Sequence, residues 1–177
     1  LSIARAAIPY LVPNTSIFLD AGTTVMSLVR QLPNQHYTIV TSGANIAIEL
    51  SQRSRSTVSC VGGQISSSTL SLSGPQAEAF LATVNIDTAV LAATGYSAGA
   101  GFTVGSYTEN SLKRRVIQKA DKVILLIDRS KLGRTLPFTF ASLSDIDVVI
   151  CDAPLPEDFI QAARAAGTEV LQVQPAK

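Results

Sequence analysis

The residues of this chain that could hold a charged small molecule follow apolar runs. In Ile17-Phe18-Leu19-Asp20-Ala21-Gly22-Thr23-Thr24, an apolar run ends in an aspartate, and a glycine and two hydroxyl residues come next. Val25, Leu28, Val29 and Leu32 then recur at helical spacing. A buried strand that turns through Gly22 into a helix fits this pattern. The first N–H groups of that helix lack intrahelical partners and stand beside Thr23 and Thr24. Such a helix start attracts anions, because unpaired donors and the helix dipole both favour negative charge. An ordinary capped turn with no ligand would show the same residues.

Other stretches offer matching chemistry. Thr41-Ser42-Gly43 follows a second apolar run, Gly62-Gly63 a third and Gly95 a fourth, while Asp128-Arg129-Ser130-Lys131 follows Val123 to Ile127. Hydroxyls (Thr23, Thr24, Thr41, Ser42, Ser130), glycine N–H groups and Lys131 together suit a phosphate, and Asp20 and Asp128 suit sugar hydroxyls. Glu109 and Lys113 stand four apart at the start of a predicted helix. That spacing makes an i,i+4 ion pair, or it points one or both residues at a pocket beyond the glycine-rich stretch from Gly95. No glycine pattern leads into Gly-Lys-Ser/Thr, and no dinucleotide fingerprint follows the first strand. His36 is the only histidine, so neither a zinc site nor a catalytic histidine is expected, and no cofactor or metal. Cys60 and Cys151 each sit in an apolar, strand-like run and are expected to be buried free thiols. Lys113-Arg114-Arg115 with Lys119 and Lys122 reads as a solvated face rather than a nucleic-acid patch.

The elements that position these residues alternate. Predicted strands are Ser16 to Asp20, Tyr37 to Thr41, Thr57 to Val61, Thr88 to Ala93, Lys122 to Asp128, Val148 to Cys151 and Glu169 to Val173. Predicted helices are Thr23 to Leu32, Ala44 to Gln52, Pro75 to Thr83, Glu109 to Ala120 and Pro156 to Ala166, the last stopped by Gly167. Strand–helix alternation with Val- and Ile-rich strands implies an α/β fold, a largely parallel sheet with helices on both faces. Three loops interrupt it: the Ser-rich stretch after Gly62-Gly63, which holds a possible hairpin; Gly95 to Thr108; and Asp128 to Arg134. Their starts, like Asp20 and Thr41, fall at strand C-ends, where open α/β sheets bind ligands.

Composition bounds the rest. The chain has 177 residues, one domain's worth, with residues 1–15 as a lead-in segment. Only 15% of residues are charged, against about 25% in average soluble domains. Surface hidden against another chain, and hence a homo-oligomer, is expected. The net charge of +1 gives this segment no electrostatic case for binding nucleic acid. No apolar run approaches the roughly 20 residues of a membrane span, and no signal peptide is visible, so a cytoplasmic protein is expected. The chain starts at Leu1 without methionine, so an N-terminal part is expected to be absent.

Assembled, these stretches resemble the C-terminal effector-sensing domain of DeoR-family transcriptional regulators from about Ser16 to Val173. The likeness rests on Leu19-Asp20-Ala21-Gly22-Thr23-Thr24, Val40-Thr41-Ser42, Val61-Gly62-Gly63, Gly74-Pro75, Gly101-Phe102-Thr103 with Glu109 and Lys113, Asp128-Arg129-Ser130-Lys131-Leu132-Gly133, and Asp145-Ile146-Asp147. It implies a fold similar to type A ribose-5-phosphate isomerase, a pocket for a phosphorylated sugar or related metabolite, and DNA binding through an N-terminal winged helix-turn-helix outside this chain. Two residues depart from the family pattern. Ser42 stands where the family has Asn, and Thr94 where it often has Asp. The related isomerases use acids in the latter region, so Glu109 lacks acidic neighbours. A ligand sensor with no catalytic residues is the expectation. An aldose–ketose isomerase with Glu109 as base is its rival, and a domain that has kept the fold but lost the ligand is the third reading.

Overall fold

The computed structural model of the protein describes residues 2–53 and 55–174. Leu1, Ser54 and residues 175–177, the ends of the expected lead-in and domain among them, lie outside the described residues. The chain runs through α1 (Ser2–Ala7), a 3-10 turn, β1 (Ser16–Leu19), α2 (Thr23–Val29), β2 (Thr38–Thr41), α3 (Ala44–Arg53) and β3 (Thr57–Cys60). A short hairpin of β4 (Gln64–Ile65) and β5 (Leu72–Ser73) leads to α4 (Pro75–Leu81), β6 (Ile86–Ala92), β7 (Gly95–Ser97), β8 (Gly101–Val104) and α5 (Tyr107–Lys119). Then come β9 (Ala120–Ile127), a 3-10 turn (Arg129–Lys131), β10 (Phe138–Ala141), a second such turn (Leu143–Asp145), β11 (Val148–Asp152), α6 (Glu157–Ala166) and β12 (Glu169–Val173).

Seven of the strands form one sheet in the order β12-β11-β9-β6-β1-β2-β3. Every adjacent pair is parallel. Alternation along the central strands divides the core in two, because successive side chains point to opposite faces. Ile17, Leu19, Ile39, Val90, Ile124 and Ile150 pack with α1, α2 and α3. Phe18, Val40, Ala89, Leu91, Leu125 and Val149 pack with α4, α5 and α6. Both faces of the sheet are thus covered, which is why its central strands β1, β9 and β11 carry unbroken apolar runs.

The stretch from Gly95, expected to be a loop, is instead the hairpin β7–β8, and β10 extends it to a three-stranded antiparallel sheet. Its strands are three or four residues long, and their third partner comes from far along the chain. No local periodicity could report that pairing. Aromatic contacts fix this sheet to α6: Tyr96 lies 4.8 Å from Phe102 and 4.9 Å from Phe159, centroid to centroid. Gly101 is required where the hairpin crosses β10. Its φ is +74°, and a Cβ there would stand 2.4 Å from the Ala141 carbonyl oxygen.

The two thiols differ. Cys151 is buried in β11, but Cys60 is exposed, because β3 is the outer strand of the sheet. Burial, aided by the nearby Asp152 carboxylate, pushes the Cys151 thiol up to about 12. The thiolate is the reactive form, so Cys151 is inert at neutral pH. A colorimetric disulfide reagent should therefore titrate one thiol per folded chain, and Cys60→Ser should abolish the signal. Two fast-reacting thiols in the native protein would contradict this packing.

Candidate functional site

The direction of chain travel in the sheet reverses between β1 and β6. From β1 the chain moves outward to β2 and β3, and from β6 it moves the other way to β9, β11 and β12. The crevice outside the carboxyl ends of such a strand pair is where open α/β sheets bind ligands. Here it holds a cavity of about 250 Å³. Its wall comes from the turn after β1 (Asp20 to Thr24), Ser42 after β2, Thr69 and Ser71 of the hairpin, Ala92 to Thr94 after β6, Glu109, Leu112 and Lys113 on α5, and Asp128 and Lys131 after β9. A space of this size suits a single small polar molecule.

Asp20 is the hub of the wall. It is buried, and its carboxylate is surrounded by donors. Oδ1 accepts from the Ala21 amide at 2.9 Å and the Ser42 hydroxyl at 3.3 Å. Oδ2 accepts from the Ala92 amide at 2.9 Å and from the Lys113 ammonium. Lys113 also donates to the Ala92 carbonyl at 2.9 Å, and its Nζ stands 5.3 Å from the centre of the Phe140 ring. One buried ion pair therefore ties together the ends of β1 and β6 and the inner face of α5. Asp20 is committed to protein donors rather than held open for sugar hydroxyls.

The i,i+4 pair between Glu109 and Lys113 does not form. Lys113 is drawn to the buried Asp20 carboxylate, which needs a cation. Glu109 turns to the hairpin instead, where its Oε1 accepts from the Ser71 hydroxyl and from Thr69 Oγ1 at 3.1 Å. The hairpin is held in turn by the start of α3. The Leu72 amide donates to the Ser42 carbonyl at 2.7 Å, and the Ala44 amide to the Leu70 carbonyl at 2.9 Å. Leu70 adopts φ +55°, an unfavourable conformation for a branched apolar residue, which these flanking bonds hold in place. Thr69 and Ser71 were missed from the sequence. The Ser-rich stretch was visible, but its return onto the β2–α3 turn is a long-range contact.

Across the cavity, the Asp128 carboxylate accepts from the Ser130 amide at 3.0 Å and from its hydroxyl, which shapes the 3-10 turn. Lys131 ends that turn. Among the described residues Lys131 has no ion-pair partner. The wall that it shares with Gly22, Thr23 and Thr24 includes the first turn of α2, where no side chain caps the helix. Nine of the residues read from the sequence as ligand-binding line the cavity; Thr41, Gly62, Gly63, Gly95 and Ser130 do not. Thr41 is fully buried and accepts from the Gly43 amide at 3.0 Å. Gly63 answers to packing: its φ is +90°, and a Cβ would lie 2.4 Å from the Ser73 carbonyl oxygen. At Gly95 a Cβ would meet the Arg134 carbonyl oxygen at 2.6 Å. His36 is exposed. Among the described residues no group of three or more His, Cys, Asp or Glu side chains is placed to hold a metal.

Comparison with known proteins gives a consistent pattern. A family model described as the DeoR C terminal sensor domain matches residues 1–153; β12, beyond that match, completes the same sheet. The HTH-type transcriptional regulator GlpR of Haloferax volcanii is 35% identical over 171 residues, which is 96% of this chain and 67% of GlpR. The HTH-type transcriptional repressor GlcR of Bacillus subtilis is 30% identical over 169 residues, 96% of this chain and 65% of GlcR. The chain thus spans about two thirds of the length of these regulators. In architecture it is similar to ribose 5-phosphate isomerase A of Methanocaldococcus jannaschii, with a TM-score of 0.55 at 16% identity, over 76% of this chain and 54% of the isomerase. At that identity the likeness concerns the fold alone.

Proposed function

The chain belongs to the DeoR family as its C-terminal sensor domain, and we propose that its cavity senses a phosphorylated sugar. The observation that carries this reading is Lys131, a cation without an ion-pair partner among the described residues, on the wall that also holds Thr23, Thr24 and the first turn of α2. Phosphate is the anion such donors suit. The other wall offers Glu109, Ser71, Thr69 and Thr94, which suit sugar hydroxyls. In the whole regulator, ligand binding shifts an equilibrium between subunit arrangements by binding one of them more tightly. The domain works as a homo-oligomer, consistent with its low charge content, and DNA is held by a helix-turn-helix outside this segment.

Turnover is not part of this function. Proton transfer in an aldose–ketose isomerisation needs a free base and a partner that polarises the carbonyl. Glu109 is the candidate base, but the carbonyl has no partner left to polarise it: Lys131 is given to the phosphate, Asp20 and Lys113 neutralise each other, and Thr94 has no useful acidity. Calorimetry with ribose 5-phosphate, fructose 6-phosphate and glucosamine 6-phosphate, set against each unphosphorylated sugar, tests the reading. At least one phosphorylated ligand should bind, with its free sugar weaker by about tenfold or more. NMR of the same mixtures should show the ligand unchanged. Equal affinity for sugar and sugar phosphate would refute the phosphate assignment, and product formation abolished by Glu109→Gln would establish the isomerase instead.

A further inference from the structure

The helix that forms one wall of the cavity presents a second, largely exposed face, where the Tyr107 ring meets Phe138 edge-on and the Ser111 hydroxyl donates to Glu78. α5 has 13 residues, about 20 Å of helix. Leu112, Lys113 and Val116 are buried on its inner side. On the opposite side Tyr107 is 66% exposed, and Arg114, Arg115 and Gln118 follow at helical spacing, all exposed. This ridge has a shallow groove on each flank. One lies towards α4 and contains Glu78, Asn110 and Arg115. The other lies towards β10 and contains Ile117, Phe140 and Asp145. Arg114 and Gln118 line both grooves.

We infer that this outer face of α5 is the surface on which a second copy of the chain docks, ridge into groove about a two-fold axis. The inference rests on the reading that the domain works as a homo-oligomer, and it names the face. A two-fold interface must be self-complementary, because the same patch meets itself. This patch is. Its two arginines have no ion-pair partner among the described residues, and each groove carries an acid, Glu78 in one and Asp145 in the other. Docked ridges bring the arginines of one copy to the acids of the other. Exposed Tyr and Arg are also the residue types that dominate protein contacts. The same acids disfavour a nucleic-acid backbone, which would meet a negative charge in either groove.

The placement gives the sensor its output. Glu109 and Lys113 project from the side of α5 that faces the cavity, and the docking ridge is on its other side. A ligand that displaces Ser71 or Thr69 from Glu109 acts on the helix that a second subunit reads.

Sedimentation of the chain at micromolar concentration tests the face. Wild type should associate. Arg114→Glu with Arg115→Glu, and separately Glu78→Lys with Asp145→Lys, should each weaken association about tenfold or more. An equimolar mixture of the two variants should associate again, because each then meets its opposite charge. Tyr107→Ala should also dissociate the assembly, and thermal melts should confirm that every variant folds. Normal association of all variants would overturn this face and leave the homo-oligomer standing. A monomeric wild type would overturn both. A variant mixture that stays dissociated would overturn the charge pairing on which the inference rests, as would wild type that binds random duplex DNA through these arginines without self-associating.

Discussion

Replacing Lys113 with methionine is expected to lower the free energy of unfolding by about 3–5 kcal/mol, the usual effect of removing one partner of a buried ion pair. The side chains of Lys113 and Asp20 are 8% and 6% exposed. Methionine keeps the length of the lysine stem but leaves the carboxylate without its counter-charge. A typical domain has only about 5–15 kcal/mol to lose, so the variant should melt far below wild type. Asp20→Asn in the same background should recover part of the loss. It removes the uncompensated charge and keeps an oxygen for the Ala21 amide and the Ser42 hydroxyl, although the Ala92 amide loses its acceptor. The signature in urea unfolding is therefore a coupled pair, with the double variant less destabilised than the sum of the singles. Additive losses, or a cost below about 1 kcal/mol for Lys113→Met, would mean that the pair does not hold the floor of the cavity together.

That pair marks the boundary of what was legible in the sequence. The strands of the main sheet could be read because the central ones carry apolar runs buried on both faces and helices with their own period separate most of them. The positions just beyond them could be read too, because a ligand in an α/β sheet meets the residues after the strand ends. Asp20, Ser42 and Lys131 line the cavity for that reason. Partners could not be read. Asp20 and Lys113 lie 93 residues apart, and only the assembled sheet brings α5 over the end of β1. Local spacing suggested Glu109 as the partner of Lys113, but burial of Asp20 set a stronger demand. Glycines misled for a related reason. Gly63 and Gly95 follow strands just as Gly22 does, and a glycine that lets a ligand approach cannot be told from one that lets another chain segment approach. The Ser73 and Arg134 carbonyls that fill these spaces come from elsewhere in the chain.

The phosphate end of the proposed ligand is expected to respond to substitution differently from its sugar end. Thr23 is exposed at the first position of α2, and Lys131 makes no ion pair among the described residues. Neither Thr23→Ala nor Lys131→Ala should lower the melting temperature appreciably. Each removes a donor to a charged group, a bond worth about 1.5–3 kcal/mol, so each should weaken a sugar phosphate by roughly ten- to a hundredfold. Lys131 is only half-buried, so the loss in Lys131→Ala should shrink as salt is raised and the contact is screened. Neither variant should change the weak binding of the unphosphorylated sugar. Glu109→Gln tests the other end: it removes a charged acceptor from hydroxyls that both ligands share, so both should lose affinity by a similar factor. The three variants together fix the orientation of the ligand across the cavity. If Lys131→Ala and Thr23→Ala weakened the free sugar as much as its phosphate, or left the phosphate unaffected, the anion would lie elsewhere on the wall. If Glu109→Gln selectively weakened the phosphorylated form, the ligand would be bound the other way round.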